Sequence, residues 1–317
     1  MEYPLPSAGS KPTSMIAGES LASQSDNNVW FSESGSDRIA KIDPYGVITE
    51  YPVGGSTTQI ARLWSAASTA CCIAYNYLAL EPSNNSLVGF SPGSPSATQQ
   101  YVPPTSNAGL MSITTAAVDP TGGTATWFSE FNVNQIAELS TVDPSYPTPR
   151  EFAMPTGAGP TAMGTGSDGA LWIAEATANK IARIGQTFTL TEYPLPSANA
   201  GITAIATAGT TLDAPNVVYL AEAGVNKIAG VTSSGIVTEY TIPSANSGVN
   251  AITTDGVNVW FTEPNTNKIG EMSPSGAFIE YTVPTQSAGL AGISTASAGS
   301  GIYFTEENAN KIGILYP

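Results

Sequence analysis

Short runs of apolar and aromatic residues recur along the whole chain, separated by segments rich in Gly, Pro, Asn and Ser. One run, of the type Val-Trp-Phe-Thr-Glu, appears in six clear copies and one degenerate copy, at intervals of 41 to 49 residues. Short runs between such turn-forming segments predict β-strands joined by tight turns. The glutamates that end the seven copies are Glu33, Glu81, Glu130, Glu175, Glu222, Glu263 and Glu306.

Three further elements keep fixed places around this run. An aliphatic residue stands six positions after each glutamate and is preceded, two positions earlier, by Asn or Asp. A Glu-Tyr element follows, as in Glu50-Tyr51, and a Gly-x-x-x-aliphatic element precedes the aromatic run. Four strands in about 45 residues is the size of one propeller blade. The repeat therefore predicts an all-β, seven-bladed β-propeller with four-stranded blades, formed as a single domain by residues 1–317.

The two ends of the chain show how the ring closes. The last repeat lacks the Glu-Tyr element, and a surplus copy stands at the start of the chain, as Glu2-Tyr3-Pro4. We therefore expect a strand over residues 2–6 to complete the last blade by pairing near Lys311 to Leu315. The hydrophobic core is then expected between neighbouring blades, not at one centre.

The repeated aromatic and acidic residues each allow two interpretations. Trp30, Trp127, Trp172 and Trp260 could stack on sugars, but their recurrence at one position per blade favours packing between blades. The seven glutamates could form a ring of metal ligands. In five repeats, however, a Lys or Arg stands five residues later, so the favoured role is a partner within one hairpin.

Composition excludes several classes of function. The formal net charge of −15 disfavours nucleic acid and anionic membrane surfaces as partners. The chain has no His, which removes catalytic sets and metal sites that depend on it. No apolar run is long enough for membrane insertion. A surface rich in Ser, Thr, Asn and Gly suits an exported protein, so we expect an extracellular or periplasmic location with the chain in mature form.

The second repeat departs most from the pattern. It carries Arg62, Trp64 and the adjacent Cys71 and Cys72. Two adjacent cysteines close a disulfide only with a strained peptide geometry, so two buried thiols are the simpler expectation. The pattern leaves both alternatives open.

Three of the repeated segments resemble the streptogramin lyase (virginiamycin B lyase) family: Val259-Trp260-Phe261-Thr262-Glu263, Asn267-Lys268-Ile269-Gly270 and Ile48-Thr49-Glu50-Tyr51-Pro52. The resemblance covers nearly the whole chain and implies a seven-bladed propeller with joined ends. It also implies an elimination that opens the lactone ring of type B streptogramins in the presence of Mg²⁺, carried by two His and one Glu. The corresponding positions here are Asn250, Gly289 and Ala291, so the resemblance extends to the fold and not to the reaction.

The innermost strands are expected to line the central channel. One residue per blade then faces the same end of it: Ser14, Met111, Thr161, Thr203, Asn250 and Ala291, with the second repeat placed near Thr58 or Ala61. This ring is small and neutral, which argues against acid–base catalysis, a hard-metal site or a cofactor there. It permits binding of an uncharged ligand.

Three functions remain as hypotheses. The first is a non-catalytic, exported binding or scaffold module, whose partner is a neutral small molecule, a glycan or a protein. The alternative is a lyase, or another enzyme acting on lactones, with a relocated active site. A structural subunit of a surface assembly is the third. Ligand identity and oligomeric state stay open.

Overall fold

The computed structural model describes residues 1–18, 20–21, 24–25, 27–53, 59–62, 77–91, 94–119, 123–140, 148–207, 217–296 and 301–317. Thr58, Trp64, Cys71 and Cys72 lie outside these residues, as do the side chains of Ala61 and Arg62, so the expectations placed on them stay predictions.

Seven four-stranded antiparallel sheets form the propeller, as predicted. We number the blades by their innermost strand in chain order. From the innermost strand outward, blade 1 holds Pro12–Ala17, Val29–Glu33, Arg38–Ile42 and Ile48–Pro52; blade 2 holds Gln59–Arg62, Tyr77–Glu81, Ser86–Ser91 and Ser94–Tyr101; blade 3 holds Leu110–Ala116, Ala125–Glu130, Gln135–Ser140 and Arg150–Ala153; blade 4 holds Pro160–Thr165, Leu171–Glu175, Lys180–Ile184 and Leu190–Pro194. Blade 5 holds Ile202–Thr207, Val217–Glu222, Lys227–Thr232 and Val237–Thr241; blade 6 holds Ile252–Thr254, Val259–Glu263, Lys268–Met272 and Phe278–Thr282; blade 7 holds Leu290–Thr295, Ile302–Glu306, Lys311–Leu315 and Glu2–Pro4.

A few short elements stand outside the blades. Ser20–Leu21 and Gln24–Ser25 pair as a small hairpin, and Pro82–Asn84 and Phe131–Val133 are single 3₁₀ turns. No helix in the described part of the chain has the length and apolar character needed to cross a membrane.

The N-terminal strand closes the ring, as the surplus Glu-Tyr element predicts. Glu2–Pro4 pairs antiparallel with Lys311–Leu315, with Tyr3 opposite Ile312. The strand ends earlier than the predicted residue 6, although the Leu5 amide still donates to the Asn310 carbonyl at 3.0 Å. Pro6 has no N–H to offer a ladder, which explains the early end.

The core lies between blades. One cluster joins Val29 and Phe31 of blade 1 to Tyr303 and Ile312 of blade 7, and Leu5 packs into it. Trp30, Trp127, Trp172 and Trp260 are at most 1% exposed. Trp30 lies 5.0 Å from the ring of Tyr77 in blade 2. The tryptophans therefore pack between blades, and none of the four offers a face to a sugar.

The repeated Asn explains how each hairpin is joined to the loop that leaves its blade. Asn226 adopts a left-handed conformation with φ of 59°, which Asn tolerates better than most residues. Its side chain accepts a hydrogen bond from the Ser247 amide at 2.8 Å and donates to the carbonyls of Ile242 and Ser244. The same arrangement recurs at Asn85, Asn134, Asn179, Asn267 and Asn310.

Candidate ligand-binding cavity

A cavity of about 570 Å³ opens at one end of the central channel. It lies at the end where the innermost strands begin, which is also the end that carries the hairpins with the repeated glutamates. The six residues predicted for the channel ring all line it: Ser14, Met111, Thr161, Thr203, Asn250 and Ala291. The structure thus brings the predicted ring together; that the ring binds a ligand stays a prediction.

A β-bulge at the start of several innermost strands directs these side chains inward. In blade 3 the pairing with the second strand shifts between Leu110 and Ile113, and in blade 4 it shifts between Pro160 and Met163. Residues inside a bulge leave the regular ladder, and their side chains take new directions. Met111 and Thr161 lie inside these bulges and face the cavity.

Two polar members of the ring, Asn250 and Thr203, are held loosely by local contacts. The Asn250 side-chain amide lies 3.5 Å from the Ala291 carbonyl, and the Thr203 hydroxyl lies 3.3 Å from the Val249 carbonyl. Both distances are long for strong hydrogen bonds. These groups can therefore exchange their present contacts for contacts with a ligand at small cost.

One ionisable residue at the cavity was missed by the sequence analysis. Glu307 lines the cavity at blade 7 and is half-buried there. Its backbone amide donates to the Gly289 carbonyl at 2.9 Å, and the Phe131 amide bonds the Gly109 carbonyl in the same way in blade 3. The repeat therefore sets the position of Glu307, which follows the second strand of blade 7 and is not part of the innermost strand that was predicted to line the channel. A visible signal existed: the residues that follow the repeated glutamates are Ser34, Pro82, Phe131, Ala176, Ala223, Pro264 and Glu307, and Glu307 alone is charged.

Gly289, the counterpart of the family's glutamate, has an architectural role in this chain. Its φ is 69°, and a Cβ placed on it would approach the Asn308 side chain to 2.6 Å. Gly109, Gly159, Gly201 and Gly248 hold the same place in other blades, also with positive φ. A glutamate at position 289 would be strained in this backbone.

The seven repeated glutamates do not line the cavity. Each is fully buried, in the hairpin between the second and third strands. Burial raises the pKa of Glu263 to about 7, and the nearby Glu280 carboxylate adds to the rise. The same cause, burial, raises the pKa of Glu33, Glu130, Glu222 and Glu306 to about 7. The alternative of an axial metal ring is therefore wrong.

The expected partner of these glutamates is also corrected by the structure. Lys268 lies opposite Glu263 in the ladder, but its ammonium donates to Glu280 of the outermost strand at 2.7 Å. Burying an ammonium beside the enclosed Glu263 would cost more desolvation than pairing at the rim, which explains the choice. The corresponding pairs are Arg38–Glu50, Lys180–Glu192, Lys227–Glu239 and Lys311–Glu2.

The outer glutamates also join neighbouring blades. Glu280 accepts two hydrogen bonds of 2.8 Å from Ser244, one from its amide and one from its hydroxyl. Ser244 belongs to the connection that arrives from blade 5. We call this contact the interblade latch; it recurs as Ser7 with Glu50, Thr105 with Glu151, Ser197 with Glu239 and Thr285 with Glu2. Burial alone would raise the pKa of Glu280, but the bonds from Lys268 and Ser244 outweigh it and lower that pKa.

The cavity does not fit the Mg²⁺ that the family resemblance implies. Mg²⁺ prefers an octahedral set of oxygen ligands that includes carboxylates. Glu307 is the one carboxylate among the described lining residues, and its neighbours on the ring are Ala291, Asn250 and Ser14. Across the described residues, no three acidic, Cys or His side chains come together as a metal-binding group. One carboxylate without a second charged ligand is a poor resident site for a divalent ion.

Comparison with known proteins gives a family and several close folds. A sequence model of the virginiamycin B lyase family matches residues 93–317. A solved streptogramin B lyase superposes with a TM-score of 0.82 at 27% identity, over 99% of this chain and 97% of that one. Virginiamycin B lyase from Staphylococcus aureus gives 0.82 at 28% identity, over 100% and 98%. Comparison with curated protein sequences gives no match.

One further structure bears on the chemistry. It is a catalytically inactive variant of the S. aureus enzyme, with a histidine replaced by alanine, in complex with quinupristin. It superposes with a TM-score of 0.79 at 27% identity, over 100% of this chain and 99% of that one. The predicted seven-bladed propeller with its shared last blade agrees with these folds. Since the family model spans well over half of the sequence, this chain belongs to the virginiamycin B lyase family.

Proposed function

We propose that this protein is a non-catalytic binding module of its family, which holds a small molecule in the cavity at the mouth of the channel. The observation that carries the proposal is the lining itself. Hydroxyl, amide, methyl and thioether groups surround the cavity, and Glu307 is the one ionisable group among the described lining residues. The lining can provide contact area and hydrogen bonds, but it lacks a pair of groups that exchange a proton.

Elimination requires more than this lining supplies. A base must remove a proton while a second group stabilises the carboxylate that leaves. Glu307 could serve as a base, but no acid or cation among the described lining residues accompanies it. The inactive histidine variant of the S. aureus enzyme points the same way, because this chain contains no histidine at all.

The test uses quinupristin as the probe. Full-length protein is incubated with quinupristin and Mg²⁺, and intact and ring-opened forms are separated by chromatography, because elimination leaves the mass unchanged. We expect ring opening at the rate of buffer alone. Ring opening well above that rate would contradict the proposal and indicate a lyase with a relocated active site. Glu307→Gln would then be the first variant to examine.

Binding is tested separately by filling the cavity. Thr161→Trp places an indole at the channel ring, whereas Thr49→Trp places one on the exposed face of the outermost strand of blade 1. Ligand-observed NMR should show that molecules bound by the parent protein are lost in Thr161→Trp and kept in Thr49→Trp. Equal loss or equal retention in the two variants would contradict binding at the channel.

A further inference from the structure

Glu307 is not required by the fold, although the fold fixes its position. In four other blades the residue at this place is Ser34, Phe131, Ala176 or Ala223, and the amide of each donates to the carbonyl of the residue just before the innermost strand. The backbone contact is therefore made with serine, phenylalanine or alanine as readily as with glutamate. The carboxylate of Glu307 adds nothing to that contact.

The Glu307 carboxylate also differs from the other glutamates near this end of the propeller. Glu280, Glu50, Glu239 and Glu2 are each held by a latch hydroxyl and a base. Within the described residues no hydrogen bond or ion pair engages the Glu307 carboxylate. A half-buried carboxylate without a partner, at the edge of a cavity, is available to a ligand.

The electrostatics of the cavity then favour one sign of ligand charge. The rest of the described lining is uncharged, and the whole protein carries a formal charge of −15. A single carboxylate in a recess with low-dielectric walls concentrates negative potential at the mouth. Anions are disfavoured there, and a cationic group gains a charge-assisted hydrogen bond.

Two exposed apolar side chains, Phe131 and Met111, lie in blade 3, on the opposite side of the ring from Glu307. Phe131 occupies the equivalent position in blade 3, across the ring from blade 7, and is 38% exposed. Met111 of the same blade faces the cavity and is 44% exposed. Large exposed apolar side chains beside a pocket are typical of a surface that receives an apolar part of a ligand.

From this geometry we infer that the ligand is an organic cation: one ammonium-type group placed at Glu307, on an otherwise uncharged and partly apolar molecule. The inference rests on the proposed binding function of the cavity and specifies its ligand. It differs from the prediction of a neutral ligand, because that prediction rests on the innermost strands alone and Glu307 lies outside them.

The test compares two probes that differ in charge. Phenethylamine is cationic at neutral pH, and N-acetylphenethylamine keeps the aromatic group without the charge. The parent protein should bind the cation at least about fivefold more tightly by ligand-observed NMR titration, as for a hydrogen bond to a charged group. Glu307→Gln should bring the ratio to about one.

A matched variant separates the local contact from the overall charge. Asp43→Asn removes the same charge at the opposite end of the propeller, in the turn before the outermost strand of blade 1. It should keep the parent preference for the cation. A preference lost equally in Asp43→Asn and Glu307→Gln would overturn the inference, because long-range charge alone would then explain it.

The remaining outcomes separate this inference from the proposed function. If both probes bind the parent equally and both are lost in Thr161→Trp, the cavity binds ligands and the inference about charge is wrong. If neither probe binds at millimolar concentration, or if Thr161→Trp binds both unchanged, the proposed cavity function fails and the inference fails with it.

Discussion

The outer belt of the propeller, by which we mean the interblade latches and the bases that pair with their glutamates, and the mouth of the channel contain similar residue types in different roles. In the belt, Glu280, Ser244 and Lys268 form a latch whose counterparts recur around the ring, and every polar group in it has a partner. At the mouth, Glu307 occurs once and Asn250 makes only a long contact. Residues that repeat with the blades therefore build the ring, and residues that break the repeat are candidates for function.

The largest effect expected from the belt is a dependence of stability on pH. The buried glutamates have pKa values raised by burial, to about 7 for Glu33, Glu130, Glu222, Glu263 and Glu306. Between about pH 4.5 and 7 the folded state then keeps protons that the unfolded state has released, so stability falls as pH rises through this window. A single such carboxyl contributes up to about 3 kcal/mol.

The outer glutamates act in the opposite direction. Hydrogen bonds and bases lower the pKa of Glu2, Glu239 and Glu280 against the effect of burial, so their stabilisation is lost as pH falls below about 4.5. Calorimetry from pH 3 to 9 should therefore show maximum stability near pH 5 and a melting temperature about 10 °C lower at pH 8. A maximum at pH 7 or above would show that the buried carboxyls titrate normally.

Removal of the closing strand is the next largest effect. Deletion of residues 1–6 removes the ladder with Lys311–Leu315, the latch from Thr285 to Glu2, and Leu5 from the core. The melting temperature should fall by about 5–10 °C, because the ring is opened and a strand edge exposed. Deletion of the exposed Tyr316 and Pro317 is the control and should cost little. Equal melting temperatures for the two deletions would mean that closure adds no stability.

The repeat was sufficient to predict the blades and their closure, but not the pairing of charges inside them. Lys268 follows Glu263 by five residues and lies directly opposite it, whereas Glu280 comes twelve residues after Lys268 and lies diagonally across the sheet, opposite Gly270. Sequence distance favoured Glu263. In the structure Lys268 pairs with Glu280 because Glu263 is fully buried, whereas the Glu280 side chain is 15% exposed. Depth within a blade cannot be obtained from spacing alone. Glu307 was missed for a related reason, since a hairpin residue was not expected to reach the channel.

Two substitutions in blade 6 separate the two layers of glutamates. At pH 8, Glu280→Gln should destabilise the fold by about 1–3 kcal/mol, because Lys268 and the Ser244 amide lose a charged acceptor. Glu263→Gln should instead stabilise it by about 1 kcal/mol, since it removes a buried charge with a like-charged neighbour. At pH 5 the gain from Glu263→Gln should vanish. Denaturant unfolding at both pH values measures these changes. If both variants changed the free energy of unfolding in the same direction at pH 8, the contrast between a buried Glu263 and a paired outer Glu280 would be wrong.

The smallest effect is expected at the mouth, and two asparagines provide the comparison. Asn226 has a left-handed backbone and its side chain makes four hydrogen bonds, so Asn226→Ala should cost about 2–4 kcal/mol. Asn250 is exposed to the cavity and contacts the Ala291 carbonyl only at 3.5 Å. Asn250→Ala should therefore change the free energy of unfolding by less than about 0.5 kcal/mol while weakening binding of any probe that occupies the ring. The residue type and the change are the same in both variants, so the difference in cost reports only the surroundings. If Asn250→Ala cost as much as Asn226→Ala, the mouth would be part of the scaffold, and the distinction between repeated and unrepeated residues would no longer identify the functional site.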